Sequence, residues 1–257
     1  MFKYTLDNKR YHTLNYYLRN KFNSKVCKIS LNAGFTCPNI DGTKGYGGCI
    51  YCSKSGSGEF GGNPSKSLVE QFNDVKEVLA KKWPNAKYIA YFQARTNTYA
   101  PLLVLKEKYE SVLGIDNVIG LDIATRCDAI SDDTLDYLEE LSKRTFLTIE
   151  LGLQTTKEET SILINRGHTL KEFDDMVKKL RDRNINVVVH IINGLPYENE
   201  DDMLNTVRHL NKLDIQGIKI HMLNIVKDTP LEVLYNKEKF HILTKDEYID
   251  IVIKQLE

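Results

Sequence analysis

Short apolar runs alternate along the chain with segments in which apolar residues recur every three or four positions. The runs are rich in β-branched residues, which is typical of buried strands, whereas the longer period is typical of helices that pack one face on a sheet. The chain is therefore predicted to form βα units around a parallel sheet, which is an α/β fold. The six predicted strands are 25–31, 87–93, 117–124, 146–151, 185–192 and 215–223.

Residues that suit a first helical turn mark where the helices between the strands begin. Pro64 is expected to open a helix whose apolar face runs from Leu68 to Leu79, and Ser131 is expected to cap another. Met203 to Leu213 indicates a further helix. Capping boxes are predicted at Thr156 with Glu159, Thr169 with Glu172 and Thr244 with Glu247. The last of these helices reaches Glu257 without a C-cap signal, as in a truncated form of a longer chain.

Six βα units fall short of the eight that close a TIM barrel. We therefore expect an open partial (β/α)6 barrel of the TIM type, with parallel strands and a lateral mouth wide enough for a large substrate. A chain of 257 residues that is 42% hydrophobic suits one main domain, assigned to residues 25–257, after a short extension at 1–24. No apolar run approaches the ~20 residues of a membrane span, so no membrane association is expected.

The extension is basic and aromatic, although the formal net charge of the whole chain is zero. Basic groups can neutralise phosphates and aromatic faces can stack on bases, so the segment can be an RNA-contacting arm. The alternative is an amphipathic helix from about Tyr11 to Phe22 that packs its apolar face on the body of the protein. In the first 25 residues only Asp7 opposes the basic side chains, which alternate with tyrosines and a histidine. The basic residues are Lys3, Lys9, Arg10, Arg19, Lys21 and Lys25, and the rings are Tyr4, Tyr11, His12, Tyr16 and Tyr17.

Three cysteines, Cys37, Cys49 and Cys52, lie in the glycine-rich loop CPNIDGTKGYGGCIYC after the first predicted strand. The chain has five cysteines and no apolar leader, which favours a reducing, cytoplasmic location over a disulfide framework. Three thiolates can hold a [4Fe-4S] cluster and leave its fourth iron open. A structural zinc site is the alternative, and it would need Cys27 or His12 as a fourth ligand although the sequence contains only one short ligand pair.

The cysteine loop, with Tyr51 just before its third cysteine, resembles that of the radical S-adenosylmethionine superfamily. The spacing of eleven and then two residues between the cysteines resembles one branch, the YhcC/YtqA-type proteins related to the catalytic subunit of Elongator. Cys127 departs from the proline expected after Thr-Arg, and we interpret it as a packing residue. Six further stretches carry the resemblance: YFQARTNTYAPL (91–102), GLDIATRCDAI (120–130), ELGLQT (150–155), INRGH (164–168), HIINGLP (190–196) and KIHMLNIVKDTPL (219–231).

The resemblance implies that the methionine part of S-adenosylmethionine chelates the open iron and that its reductive cleavage yields a 5′-deoxyadenosyl radical, which abstracts hydrogen from a substrate. The cluster ligands would be Cys37, Cys49 and Cys52. Cofactor-binding residues would be Tyr51 near the adenine or the cluster, Gln93 at the methionine amine, Glu150 and Gln154 at the ribose, Arg166 at the methionine carboxylate, and His190.

Lys219 and His221 alternate along the sixth predicted strand, so their side chains share one face. We interpret them as an inward catalytic pair, either a substrate clamp or a proton donor, with outward solvation as the alternative.

The resemblance, the basic extension and the expected lateral mouth together indicate tRNA as the substrate. Within the branch, the resemblance suggests the wobble uridine and the conversion of a 5-carboxymethylaminomethyl group to 5-aminomethyl. A flavodoxin or ferredoxin is the expected electron donor. Two alternatives stay open: radical chemistry on a small molecule or peptide, and a non-catalytic RNA-binding module stabilised by zinc.

Overall fold

The computed structural model describes residues 9–257, and its centre is one parallel sheet of six strands in the order β1-β2-β3-β4-β5-β6. The α/β class and the parallel sheet are therefore confirmed. The strands are β1 (Val26–Leu31), β2 (Lys87–Phe92), β3 (Val118–Thr125), β4 (Phe146–Gln154), β5 (Asn186–Asn193) and β6 (Gly217–Met222). The helices are α1 (Leu14–Phe22), α2 (Leu68–Lys82), α3 (Leu102–Leu113), α4 (Asp132–Arg144), α5 (Glu158–Leu163), α6 (Leu170–Asp182), α7 (Glu200–Leu210), α8 (Pro230–Glu238) and α9 (Lys245–Leu256).

The sheet curls into a partial barrel, because side chains from distant strands meet in its interior. Lys28 of β1 lies 2.5 Å from Glu150 of β4, and Lys219 of β6 lies 3.2 Å from the hydroxyl of Tyr91 in β2. In a flat sheet, β1 and β4 would be three strand spacings apart, about 14 Å. The predicted partial TIM-type barrel is thereby confirmed, with β1 and β6 as its open edges.

The outward face of the curled sheet forms the main core with the surrounding helices. In β5, Val187, Val189 and Ile191 are fully buried and alternate with partly exposed residues, as expected of a strand with one face on a core. Opposite them, Phe173 and Leu180 of α6 belong to the same apolar cluster. This alternation leaves the other face of each strand to line the barrel interior.

Three predicted helix starts are confirmed and two are wrong. Ser131 caps α4, and capping boxes open α6 at Thr169 and α9 at Thr244. α2 begins at Leu68, four residues after Pro64, because Ser67 and Glu70 form a capping box there. α5 begins at Glu158 after Lys157, and the Thr156 hydroxyl lies 3.2 Å from the Thr206 hydroxyl instead of capping the helix.

The described part of the basic extension is the amphipathic helix α1, capped by Thr13. Leu18 is buried against Val26 and Ile89, and Phe22 packs edge-on against Phe146 with ring centroids 5.3 Å apart. These contacts lie near the starts of β1, β2 and β4, so α1 covers the amino-terminal end of the barrel. Lys3, Tyr4 and Asp7 fall outside the described residues. Between residues 9 and 257, no helix has the length and hydropathy of a membrane span.

Candidate active site

A cavity of about 560 Å³ lies at the carboxyl ends of the strands and continues into the barrel interior. Barrel enzymes place their chemistry at this end of the strands. The cavity brings together every site residue predicted from the sequence. They come from the cysteine loop, from four of the six strands or their ends, and, for Arg166, from the segment between α5 and α6. They are Cys37, Cys49, Tyr51, Cys52, Gln93, Glu150, Gln154, Arg166, His190, Lys219 and His221.

The cysteine loop is held in place by backbone hydrogen bonds to distant elements. The Ile50 N–H donates to the carbonyl of Ile164 at 3.1 Å, and the Leu231 N–H donates to the carbonyl of Ile50 at 3.0 Å. Gly48 adopts a φ of +77°, which favours glycine, and its carbonyl accepts from Asn165 at 2.8 Å. The loop is therefore fixed between the end of α5 and the start of α8.

The surroundings of Cys49 favour a thiolate. A hydrogen bond from Cys52 and the nearby Arg126 guanidinium lower the pKa of Cys49 to about 6, although burial acts in the opposite direction. The amide of Asn39 lies 3.7 Å from its sulfur. The same hydrogen bond and burial raise the pKa of Cys52. Three cysteine sulfurs on one loop suit an iron-sulfur cluster held by Cys37, Cys49 and Cys52, because such a cluster binds its ligands as thiolates.

The residues proposed as a fourth zinc ligand lie away from this loop. Cys27 is buried in the main core near the start of β1, and the His12 ring contacts Tyr16 with centroids 5.4 Å apart. Among residues 9–257, no three His, Cys, Asp or Glu side chains are grouped closely enough to hold a single metal ion. The arrangement thus favours the wider ligand set of a cluster over a tetrahedral zinc site with Zn–S bonds of about 2.3 Å.

Tyr51, Gln93 and Gln154 border the cavity beside the cysteines. Tyr51 packs against the apolar cluster formed by Ile164, Leu223 and neighbouring side chains, and burial raises the pKa of its hydroxyl. Gln93 directly follows β2, and its amide donates to the carbonyl of Ser57 at 3.1 Å. Gln154 ends β4 with a φ of +64°, next to a register irregularity in the pairing with β5. Such an irregularity redirects a strand end.

The guanidinium of Arg166, which the resemblance places at the methionine carboxylate, binds backbone carbonyls of this chain. Its side chain is 1% exposed, and its guanidinium donates to the carbonyls of Leu153, Thr155 and His168 at 2.7 to 3.0 Å. These bonds fix the chain after β4, so the geometry favours a positioning role over direct pairing with a methionine carboxylate. Arg126, which the sequence analysis missed, lowers the pKa of Cys49 and donates to both carboxylate oxygens of Asp128 at 2.9 Å.

Glu150, which the resemblance places at the ribose, is the centre of a charged network in the barrel interior. One carboxylate oxygen lies 2.5 Å from Lys28, and the other accepts from His190 at 2.7 Å. Lys28 also lies 2.5 Å from Asp122. Burial alone would raise the pKa of Glu150, yet His190 and the two lysines hold it well below its usual range. Glu150 is therefore an anion at neutral pH.

Lys219 and His221 both face the cavity, as their alternation predicted, although β6 is an edge strand. The Lys219 ammonium donates to the Tyr91 hydroxyl at 3.2 Å and lies 3.7 Å from Glu150. The His221 ring is 5.2 Å from that of His190. Burial and the neighbouring His190 and Lys219 lower the pKa of His221 to about 4, so its imidazole is neutral at pH 7.

Lys28, Asp122 and Tyr91 contribute to the site but were missed. The signal was available for the first two, since each is the one charged residue in an otherwise apolar or neutral strand. A charge in a buried strand needs a partner, and the parity of the strand points it to the barrel interior. Their partners, however, lie in other strands and cannot be read from spacing.

The fold, the cysteine loop and the cavity at the strand ends define a barrel enzyme built around a thiolate-bound cofactor. A sequence model of the radical SAM superfamily matches residues 43–210, and one of the radical SAM C-terminal domain matches residues 215–257. The chain therefore belongs to the radical SAM superfamily, which uses a [4Fe-4S] cluster and S-adenosylmethionine. The predicted cofactors are confirmed at this level, while the division of the chain at residues 24 and 25 stays a prediction.

The chain is 52% identical over 256 residues to YtqA of Bacillus subtilis (strain 168). The aligned region covers all of this chain and 80% of that protein. It is 23% identical over 137 residues to tRNA uridine(34) acetyltransferase of Methanocaldococcus jannaschii, covering 52% of this chain and 25% of that protein. Among solved structures, the archaeal Methanocaldococcus infernus Elp3 superposes with a TM-score of 0.66 at 16% identity, covering 90% of this chain and 54% of that one. The resemblance to the YhcC/YtqA branch and to Elongator is confirmed.

Proposed function

We propose that the protein modifies tRNA at the wobble uridine, converting a 5-carboxymethylaminomethyl group to 5-aminomethyl by hydrogen abstraction. The side chain would lose two electrons in all, with S-adenosylmethionine as the oxidant that ends as methionine and 5′-deoxyadenosine, and water would hydrolyse the resulting imine so that the carboxymethyl unit leaves as glyoxylate. The observation that carries the proposal is the single cavity in which the three cysteines, a set of polar strand ends and an interior charged network meet. Support for the substrate class comes from the similarity to a tRNA uridine(34) acetyltransferase. The reaction itself is proposed from the YtqA-type branch.

Within this proposal, each group of residues has a separate task. Cys37, Cys49 and Cys52 would hold the cluster, which together with S-adenosylmethionine supplies a 5′-deoxyadenosyl radical when bound. Tyr51, with its large aromatic face and buried hydroxyl, excludes water beside the thiols. Gln93 and Gln154 offer amide donors and acceptors at the cavity wall for a nucleoside and an amino acid moiety.

The mouth of the cavity has features that suit a nucleic acid. Phe60 lines the cavity and is 86% exposed. Arg95 also lines the mouth. Exposed aromatic faces next to cations can stack on bases and neutralise phosphates. The α1 helix covers the opposite end of the barrel, so the RNA contacts proposed at the mouth do not involve it.

The proposal is tested with anaerobically reconstituted protein, S-adenosylmethionine, a flavodoxin or ferredoxin as the proposed electron donor, and tRNA rich in 5-carboxymethylaminomethyluridine. Mass spectrometry of the digested tRNA is expected to show 5-aminomethyluridine and an equivalent amount of 5′-deoxyadenosine. Cys49→Ala is the inactive control. Unchanged wobble nucleosides here and in a deletion strain would refute the tRNA assignment. Faster cofactor cleavage with a peptide or metabolite would favour the small-substrate alternative.

A further inference from the structure

Two lysines enter the barrel interior, and their surroundings differ in one respect. Lys28 has two close carboxylates, Asp122 and Glu150, each at 2.5 Å. Lys219 has only a longer ion pair among residues 9–257: the nearest carboxylate oxygen, on Glu150, is 3.7 Å away and already accepts from His190. The remaining contact of the Lys219 ammonium is the neutral hydroxyl of Tyr91. Lys219 is thus a partly neutralised cation.

Lys219 also differs in access. Its side chain is 38% exposed and lines the cavity, whereas that of Lys28 is 20% exposed and does not. His221, two residues along the same strand face, borders the same space. Its imidazole has no hydrogen-bond partner among residues 9–257. A cation and a neutral N–H donor therefore converge on one part of the cavity. The cation shares Glu150 with Lys28 and His190, and the imidazole has no ion pair among residues 9–257.

We propose that the Lys219 ammonium and the His221 imidazole form a carboxylate-binding subsite, and that its ligand is the carboxylate of the substrate's carboxymethyl group. Charge-assisted hydrogen bonds to a carboxylate are roughly twice as strong as neutral ones, and a partly buried site strengthens them further. The ligand identity rests on the proposed function, because that substrate carries a carboxylate on the group that is removed. The subsite would hold this group at the inner end of the cavity while the nucleoside occupies the mouth.

S-adenosylmethionine offers a second carboxylate, and one experiment separates the two sources. Two 17-nucleotide anticodon stem-loops differ only in a wobble 5-carboxymethylaminomethyl or 5-methylaminomethyl group, so they differ only by the carboxylate. Their affinities are measured by fluorescence anisotropy, anaerobically and without reductant, so that no turnover occurs. Equilibrium dialysis with radiolabelled S-adenosylmethionine is run on the same samples.

The wild-type protein is expected to bind the carboxylated stem-loop about tenfold or more tightly than its partner, the size of one charge-assisted hydrogen bond. Lys219→Met should remove this preference and leave the cofactor affinity unchanged, and Lys219→Arg should restore part of the preference. Lys178→Met, a change at a surface lysine 74% exposed and paired with Asp182, is the matched control and should retain it. The proposal is refuted if Lys219→Met still binds the carboxylated stem-loop more tightly than its partner. It is also refuted if Lys219→Met binds S-adenosylmethionine more weakly than the wild type does.

A probe without RNA separates failure of this inference from failure of the proposed function. N-methylglycine, which carries the same carboxymethylamino group, is titrated into the cofactor-loaded protein while the His221 ring proton is followed by NMR. A saturating shift in the wild type that disappears in Lys219→Met supports the subsite even if no tRNA is turned over. If tRNA is turned over but this shift is absent in the wild type, the subsite is refuted and the proposed function stands.

Discussion

At the scale of single residues, Cys49 and Cys127 have opposite surroundings. Cys49 lies among hydrogen-bond donors and near Arg126, which favour its thiolate. Cys127 is 2% exposed, and burial raises the pKa of its thiol to about 12. A thiolate is required for iron ligation, and a buried thiol with a raised pKa behaves as a small apolar side chain. The surroundings thus distinguish Cys49 from the packing residue Cys127.

The first prediction is that Cys49→Ala abolishes the cluster whereas Cys127→Ala preserves it. Two remaining thiolates do not hold a cubane that needs three protein ligands, so iron and sulfide per protein should fall to background. Iron analysis and the visible absorption of anaerobically purified protein measure this directly. A full complement of iron in Cys49→Ala, or its loss in Cys127→Ala with the fold intact by circular dichroism, would contradict the ligand assignment.

Glu198 gives the second prediction, which concerns stability. Its Oε1 lies 2.5 Å from the Thr155 hydroxyl, while its Oε2 is buried without a hydrogen-bond partner among residues 9–257. Burial raises the pKa of Glu198 to about 7. The folded state therefore favours the protonated form. Ionisation of Glu198 does not lower the free energy of unfolding below about pH 4.5, and it lowers this free energy increasingly between pH 4.5 and 7. Above pH 7 the loss stays constant at up to about 3 kcal/mol.

Glu198→Gln removes the charge and should raise the free energy of unfolding at pH 8 but change it little at pH 4.5. Urea denaturation at the two pH values provides the comparison, with the exposed Glu107→Gln as a control that should show no such difference. An equal effect of Glu198→Gln at both pH values would mean that the side chain acts through its shape or hydrogen bonds and not through its charge.

At the scale of elements, the sequence predicted strands better than helix starts. All six strands were located to within a few residues, because β-branched apolar runs between turns are a local signal. A helix start depends on which of several suitable residues occupies the N-cap position. The N-cap of α2 is Ser67, so the helix does not begin at Pro64, and the N-cap of α5 is Lys157 and not Thr156. α3 and α8 were not predicted. α3 has no side-chain cap, whereas α8 has Thr229 as its N-cap and Pro230 in its first turn, a start signal that was missed.

The start of α2 gives the third prediction. Ser67 accepts from the Glu70 N–H at 3.2 Å, and Glu70 reaches back to the Ser67 N–H at 2.8 Å. Ser67→Ala removes the side-chain half of this box and should lower the free energy of unfolding by about 1 kcal/mol. Ser65→Ala, the same change at an exposed position outside the helix, should have little effect. Similar losses in both variants would argue against the observed helix start.

At the scale of the whole molecule, the interior charged network joins strands that are far apart in sequence. Lys28 and Glu150 are separated by 122 residues, and Asp122 lies in β3, one of the two strands between theirs. The inward direction of each charge follows from the alternation of side chains along its strand. The sequence therefore contains the signal for which charged residues belong to the candidate site. The pairing between them could not be predicted, because it depends on how tightly the sheet curls.

This network gives the last prediction, for Lys28→Met. Burial disfavours the charged form of Lys28, but Asp122 and Glu150 more than offset this and raise its pKa. Met has a similar length and no charge, so the variant leaves two buried carboxylates, 4% and 3% exposed, without their shared cation. Removing one partner of a buried ion pair typically costs about 3 to 5 kcal/mol, and we expect a loss of that order at pH 8.

The loss should shrink as the pH falls, because it comes from charge and not from packing. Without Lys28, the folded-state pKa values of Asp122 and Glu150 rise, so the penalty is largest above those values and is relieved as the carboxylates take up protons. Urea denaturation of Lys28→Met at pH 8 and pH 5 measures this, and adding Asp122→Asn should recover part of the loss at pH 8. Equal destabilisation at both pH values, with no recovery in the double variant, would show that Lys28 holds β1 against β4 by its aliphatic stem and not by its charge.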